Sequence, residues 1–158
     1  MRKLILLLSF LFLSRASQKN WDFLDPVGYV NDFALVLDSL SQASLETKLN
    51  DFEKQTTNQI VIVTLNSDRL TEENFDKYAL DLSNYWKIGT KEKNNGLTIV
   101  LSPKLRKIRI STGLGTEKVL TDEICDYILQ TVIIPEFKDE NYFEGLDKAT
   151  DEFIKLWK

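Results

Sequence analysis

The sequence predicts an α/β domain, a three-layer sandwich whose mixed, mostly parallel central sheet carries a hairpin and is covered by helices on both faces. Three observations carry this. Residues 59–65 and 97–101 are apolar runs rich in β-branched side chains, the composition of strands buried on both faces. Residues 107–111 alternate polar and apolar, as a strand with one wet face does, and Ser102-Pro103-Lys104-Leu105 joins them to 97–101 as a hairpin turn in which proline fixes φ. Helical periodicity fills the segments before, between and after these strands.

At the start of the chain, Arg2 and Lys3, an apolar core over 4–13 and Ser14-Arg15-Ala16 have the anatomy of a secretory signal peptide over 1–16. The core is shorter than the roughly 20 residues of a membrane span. Export is therefore expected, to the periplasm or the medium, with an uncleaved anchor as the other reading. A polar and aromatic lead-in over 17–26 should be extended or poorly ordered until Pro26, and the folded domain should run over 27–158. Removing Arg2, Lys3 and Arg15 from 20 basic side chains against 24 acidic ones leaves a formal charge of about −7. Such a surface has no footprint for nucleic acid.

Residues 29–37 form a short element with Asp32 among apolar neighbours. A carboxylate there needs a reason. It is either a turn or cap bond, which the frequency of such turns favours, or a metal or substrate ligand. The first helix is expected over 41–56, with Ser41 or Ser44 as N-cap, Leu45, Leu49 and Phe52 facing the core and Asn58 closing it in the left-handed conformation. The second starts at Thr71, with Glu72 and Glu73 at its positive end, and stops at Ile88-Gly89. Its stripe of Phe75, Tyr78, Ala79, Leu82, Tyr85 and Trp86 reads as core. Residues 90–93 connect it to the hairpin. Thr121 caps a third helix, with Asp122 and Glu123 in its first turn, and Pro135 stops it. A final amphipathic helix starts near Tyr142, and its Gly145 should pack closely against a neighbour. The single cysteine, Cys125, lies on a helical pattern and reads as a buried structural thiol.

An antiparallel hairpin brings the start of its first strand beside the end of its second. Asn94, Asn95 and Gly96 should then meet Thr112, Gly113 and Gly115 at one rim of the sheet, with Glu117 nearby. Glycine amides, two carboxamides and a carboxylate in one place make this rim the candidate site. The chain has no histidine, which removes Ser-His-Asp and Cys-His nucleophile systems and His-ligated zinc. No phosphate-binding GxxxxGK[ST] motif occurs, and Gly113-Leu114-Gly115 alone is a weak signal. Oxygen ligands survive, suited to calcium, magnesium or manganese.

The ordered set Val30-x-Asp32-x-Ala34-x-x-Leu37, Phe52-Glu53-x-x-Thr56-x-x-Gln59-Ile60, Trp86-x-Ile88-Gly89-x-Lys91, Asn94-Asn95-Gly96, Arg109-Ile110-x-Thr112-Gly113-x-Gly115-x-Glu117, Leu120-Thr121-Asp122 and Tyr142-x-x-Gly145-Leu146 closely resembles the TPM domain family. Leu114 and Thr116 depart from it, standing where an aromatic and an aliphatic are usual. The resemblance implies a sheet sandwiched by helices, a divalent-cation site for Ca2+ or Mg2+, and a phosphatase activity, since the family includes a thylakoid lumen acid phosphatase. It also includes photosystem II repair proteins, a receptor auxiliary subunit and many exported bacterial proteins.

Two functions follow as expectations. In one, the domain is an exported cation-binding module, monomeric, that assists membrane-protein assembly or envelope maintenance by docking on a partner. In the other it is a metal-dependent phosphatase acting on a phosphorylated small molecule, its ion held by Asp32, Asn95, Glu117 and Asp122. The anion would then be met by the rim of Asn94, Gly96, Gly113 and Gly115 and by the Thr121 helix start. An ordinary set of loop turns would have the same composition.

Overall fold

The structure is a computed structural model describing residues 21–158. The expected signal peptide over 1–16 and residues 17–20 of the lead-in lie outside the described residues. The chain runs β1 (Val30–Asp32), α1 (Ser39–Thr56), β2 (Gln59–Thr64), α2 (Phe75–Trp86), β3 (Gly96–Ser102), β4 (Lys107–Thr112), α3 (Asp122–Ile128), a π-helical turn (Leu129–Ile133), α4 (Ile134–Lys138) and α5 (Tyr142–Leu156).

The two apolar runs become β2 and β3, the inner strands of a sheet ordered β1-β2-β3-β4. The first three strands are parallel, and β4 returns antiparallel to β3, so the expected mixed sheet holds. Alternation along the strands divides the core. Ile60, Ile62, Leu97 and Ile99 face Leu45 and Leu49 of α1, Ile128 of α3 and Leu146 and Phe153 of α5. Val61, Val63 and Val100 face Phe75, Ala79 and Leu82 of α2. Both faces are therefore covered, which is why β2 and β3 carry buried, mainly apolar side chains on both sides while the half-buried edge strand β4 alternates.

Several boundaries differ from the expected ones, each for a local reason. Helix α1 starts earlier, because Asp38 accepts a hydrogen bond from Ser41 N at 2.8 Å and caps it. Its left-handed closing residue is Thr57 (φ 66°), and Asn58 instead donates to Trp157 O at 3.1 Å. Residues 71–74 form a turn, with Thr71 N donating to Asn74 Oδ1 at 2.9 Å, so α2 starts at Phe75; Lys87 (φ 54°) ends it. The lead-in has no secondary structure over 21–27, yet it is anchored: Trp21 and Phe23 pack edge-on to Tyr78, and Trp86 Nε1 donates to Leu24 O at 2.9 Å.

Pro135 does not stop the helix that Thr121 begins. Proline has no amide to donate and its ring clashes with the carbonyl four residues back. The chain passes this point by widening into the π turn, where Ile134 N donates to Leu129 O, and Pro135 then sits in the first turn of α4, where no donor is required. Gly145 packs as expected: a Cβ there would lie 2.6 Å from the Phe137 ring.

Cys125 is buried, and burial followed by the Asp122 charge pushes its thiol up to about 11. The Tyr29 phenol is pushed up to about 12, first by its hydrogen bond to Glu53. Both shifts favour the protonated form in the folded state, so each contributes stability that is whole below the unfolded values of 9.0 and 10.0. That stability is lost as pH rises through the folded values. We expect the urea midpoint to fall progressively between pH 9 and pH 12, and Tyr29→Phe to remove the upper part of that fall.

Candidate functional site

The hairpin does what its sequence predicts at the Asn94 rim. Gly113 N donates to Gly96 O at 2.8 Å, and Gly115 N donates to Asn94 O at 3.0 Å. Residues 94–96 and 112–115 are thus side by side. The same bonds, however, consume the rim's donors. Thr116 Oγ1 donates to Gly96 O at 2.9 Å, and a Cβ on Gly113 or Gly115 would collide with the carbonyl oxygen of Asn94 or Lys93. These glycines permit close backbone approach; their amides do not point outward to an anion.

Asn95 is equally committed. Its Oδ1 accepts from Thr90 N at 2.9 Å and from Thr90 Oγ1 at 3.2 Å, and its Nδ2 donates to Thr57 O at 2.7 Å and Asn58 Oδ1 at 3.2 Å. One buried carboxamide therefore ties the connector after α2 to the end of α1. Thr121 Oγ1 accepts from Ile124 N at 3.4 Å as an ordinary N-cap. Glu117 and Asp122 are exposed.

Asp32 lies elsewhere. Its Cα pairs in register with Thr64 at the end of β2, whereas Gly96, next to Asn95, pairs with Gln59 at the beginning. At about 3.3 Å per residue, the two sites are roughly 16 Å apart along the sheet. The predicted set of Asp32, Asn95, Glu117 and Asp122 is therefore not one coordination sphere. Among the described residues, no group of three or more histidine, cysteine, aspartate or glutamate side chains is placed to hold a metal ion. The residues named for Ca2+ or Mg2+ do not fit that ion together, and no chemical step is routed through it.

What Asp32 does is hold a loop. Its buried carboxylate accepts from Leu37 N at 2.8 Å, from Val36 N at 3.2 Å and, through a short hydrogen bond, from Thr64 Oγ1. Thr64 Oγ1 in turn accepts from Ala34 N at 3.2 Å. The turn reading of Asp32 accounts for every one of these contacts, and it explains why strand pairing stops at Asp32 although apolar residues continue to Leu37.

The loop presents two side chains that composition alone did not single out. Leu35 is 86 % exposed with φ 57°, and Leu40, in the first turn of α1, is 84 % exposed. A left-handed leucine costs about 1–2 kcal/mol. Its side chain recovers none of that by burial. Leu35→Gly should therefore raise the unfolding free energy by about 0.5–1 kcal/mol, the relief of strain outweighing the added backbone entropy of glycine. Chemical denaturation checks this; a loss of stability would mean that Leu35 is held by contacts it does not make here.

Comparison with known proteins places the chain in a family. A family model described as the TPM domain matches residues 30–156. Among solved structures, the chain is similar to the N-terminal domain of a protein from P. gingivalis, with a TM-score of 0.73 and 28% identity over 81% of this chain and 80% of that one. It is also similar in fold to the BA42 protein of Bizionia argentinensis, with a TM-score of 0.64 and 20% identity over 77% of this chain and 86% of that one. The N-terminal domain of cg2496 from Corynebacterium glutamicum has a TM-score of 0.61 and 17% identity over 89% and 85% of the two chains. A comparison with curated proteins finds no match. The family model begins at β1 and ends with the last residue of α5, so the whole sheet and its helices are matched, and the chain belongs to the TPM domain family.

Proposed function

We propose that this TPM domain is an exported docking module that engages an envelope protein through the carboxyl end of its sheet, with Leu35 and Leu40 entering an apolar recess on the partner. One observation carries this reading. An exposed leucine is kept in an unfavourable backbone conformation by a buried carboxylate that binds two amides of the same loop. Strained conformations persist where the surroundings over-determine them and function uses them. Exposed large apolar side chains mark interaction surfaces, and Leu35 and Leu40 both stand on the segment that leads from β1 into α1.

Hydrolysis of phosphate monoesters is not the reading proposed. Its intended donors are divided between two ends of the sheet, and those at the Asn94 rim are already paired within the chain. The test is site-specific photocross-linking in the source cells, with the photoactivatable residue placed at position 35, 40 or 117. The proposal expects discrete adducts to an envelope protein from 35 and 40 and none from 117. Equal yields at all three positions, or none at 35 and 40, would refute it.

A further inference from the structure

We infer a second site, independent of the docking loop: a cavity of about 270 Å3 beside the hairpin turn that binds a small organic anion, a phosphate or carboxylate carried on a short apolar body. The cavity lies between the β3–β4 turn and the segment joining α4 to α5. Leu101, Ile108 and Phe137 supply apolar lining, and Arg106, Lys107 and Lys138 bring three cations to the same space. It opens where β3 ends, on the carboxyl side of the parallel strands, the side on which open α/β sheets bind ligands.

What sets Arg106, Lys107 and Lys138 apart from other unpaired cations of the chain is that all three line one cavity. In this acidic chain Lys48, Lys54, Arg69, Lys77, Lys104, Arg109, Lys148 and Lys155 each find a carboxylate, whereas Lys87, Lys91, Lys93, Lys118 and Lys158 find none among the described residues. Arg106, Lys107 and Lys138 form no salt bridge with any described residue. Lys107 feels Glu73 only as a weak longer-range attraction. The one acidic lining residue, Glu140, is exposed and is not paired with them either. Three cations against the single carboxylate of Glu140, over an apolar lining, match a ligand with an anionic head and an apolar body. The space is slightly below that of drug-sized pockets, which begin near about 300 Å3, and suits a body about the size of a single ring or a short acyl segment.

Arg106 also occupies a left-handed position (φ 51°), where its amide donates to Pro103 O at 3.1 Å to close the turn. Asparagine tolerates that conformation better than arginine. Arg106→Asn therefore removes the charge without burdening the fold, and Lys138→Gln alters an exposed side chain.

The experiment is NMR titration of the labelled full chain with phenyl phosphate, inorganic phosphate, and vesicles of phosphatidylglycerol or phosphatidylcholine. Phenyl phosphate should give saturable shifts at residues 106–108 and 137–142. Its affinity should exceed that of inorganic phosphate and fall at least about tenfold in the Arg106→Asn/Lys138→Gln double variant. Broadening by phosphatidylglycerol vesicles alone, reversed by phenyl phosphate, would identify a lipid headgroup as the source; inert vesicles with phenyl phosphate bound would identify a soluble ester. The inference is overturned if no probe gives saturable shifts at these residues up to about 10 mM, or if the double variant binds phenyl phosphate as well as the wild type.

Discussion

Asp32→Ala should lower the unfolding free energy by about 2–4 kcal/mol, because a buried carboxylate is replaced by nothing while its three donors remain. Val36 N, Leu37 N and Thr64 Oγ1 would all lose their acceptor. Unsatisfied buried donors are the expensive half of a broken hydrogen bond. Asp32→Asn keeps the shape but turns one acceptor into a donor facing donors, so it should be nearly as harmful. Thr64→Val removes one donor and leaves both amide bonds, with an expected loss of about 1 kcal/mol. Urea unfolding of the three variants checks the order. If Asp32→Ala stayed within about 0.5 kcal/mol of wild type, the range of an ordinary surface change, Asp32 would not be what holds the loop.

Gly115→Ala should be at least as harmful, about 3 kcal/mol or more, and for a steric reason alone. Gly115 does not take a left-handed φ, so alanine brings no backbone penalty of that kind. Its Cβ would instead collide with Lys93 O, a main-chain oxygen in a connector that Thr90 N closes onto Asn95 Oδ1 and Asn94 N closes onto Thr90 O. Backbone on backbone has nowhere to yield. Gly145→Ala is the comparison: its Cβ meets the edge of the Phe137 ring, a side chain that can turn, and the expected loss is the typical 1–3 kcal/mol of overpacking. Equal losses from the two substitutions would show that the rim is softer than its bonds imply.

These two residues mark where sequence reading succeeds and where it stops. The inner strands, the hairpin, the final helix and the meeting of residues 94–96 with 112–115 were all legible, because burial on both faces and antiparallel pairing leave a direct trace in composition and spacing. The fate of the rim's polar groups was not legible. Asn95 is satisfied by Thr57, Asn58 and Thr90, and nothing local in the sequence announces a partner 38 residues away. The position of Asp32 was not legible either, since a three-residue strand carries too little pattern to fix which end of the sheet its last residue reaches. Leu35 is hidden for a related reason. It belongs to an apolar run that reads as continuing strand, and the bonds its loop donates to the Asp32 carboxylate, to Asp32 O and to Thr64 turn it outward.

The same logic explains Pro135. A proline after an amphipathic stretch is a stop signal when the helix keeps its i−4 register, and the π turn changes that register before the proline is reached.

The central claim is that Asp32 holds Leu35 in a strained, exposed position for docking. Its most direct test measures the unfolding free energy of Leu35→Gly together with the photocross-linking yield from position 40 in the same variant. The account predicts a gain of about 0.5–1 kcal/mol in stability and a marked loss of adduct, the pattern of a residue kept at the expense of the fold. A variant that is less stable, or one that is more stable and cross-links as well as wild type, would contradict it.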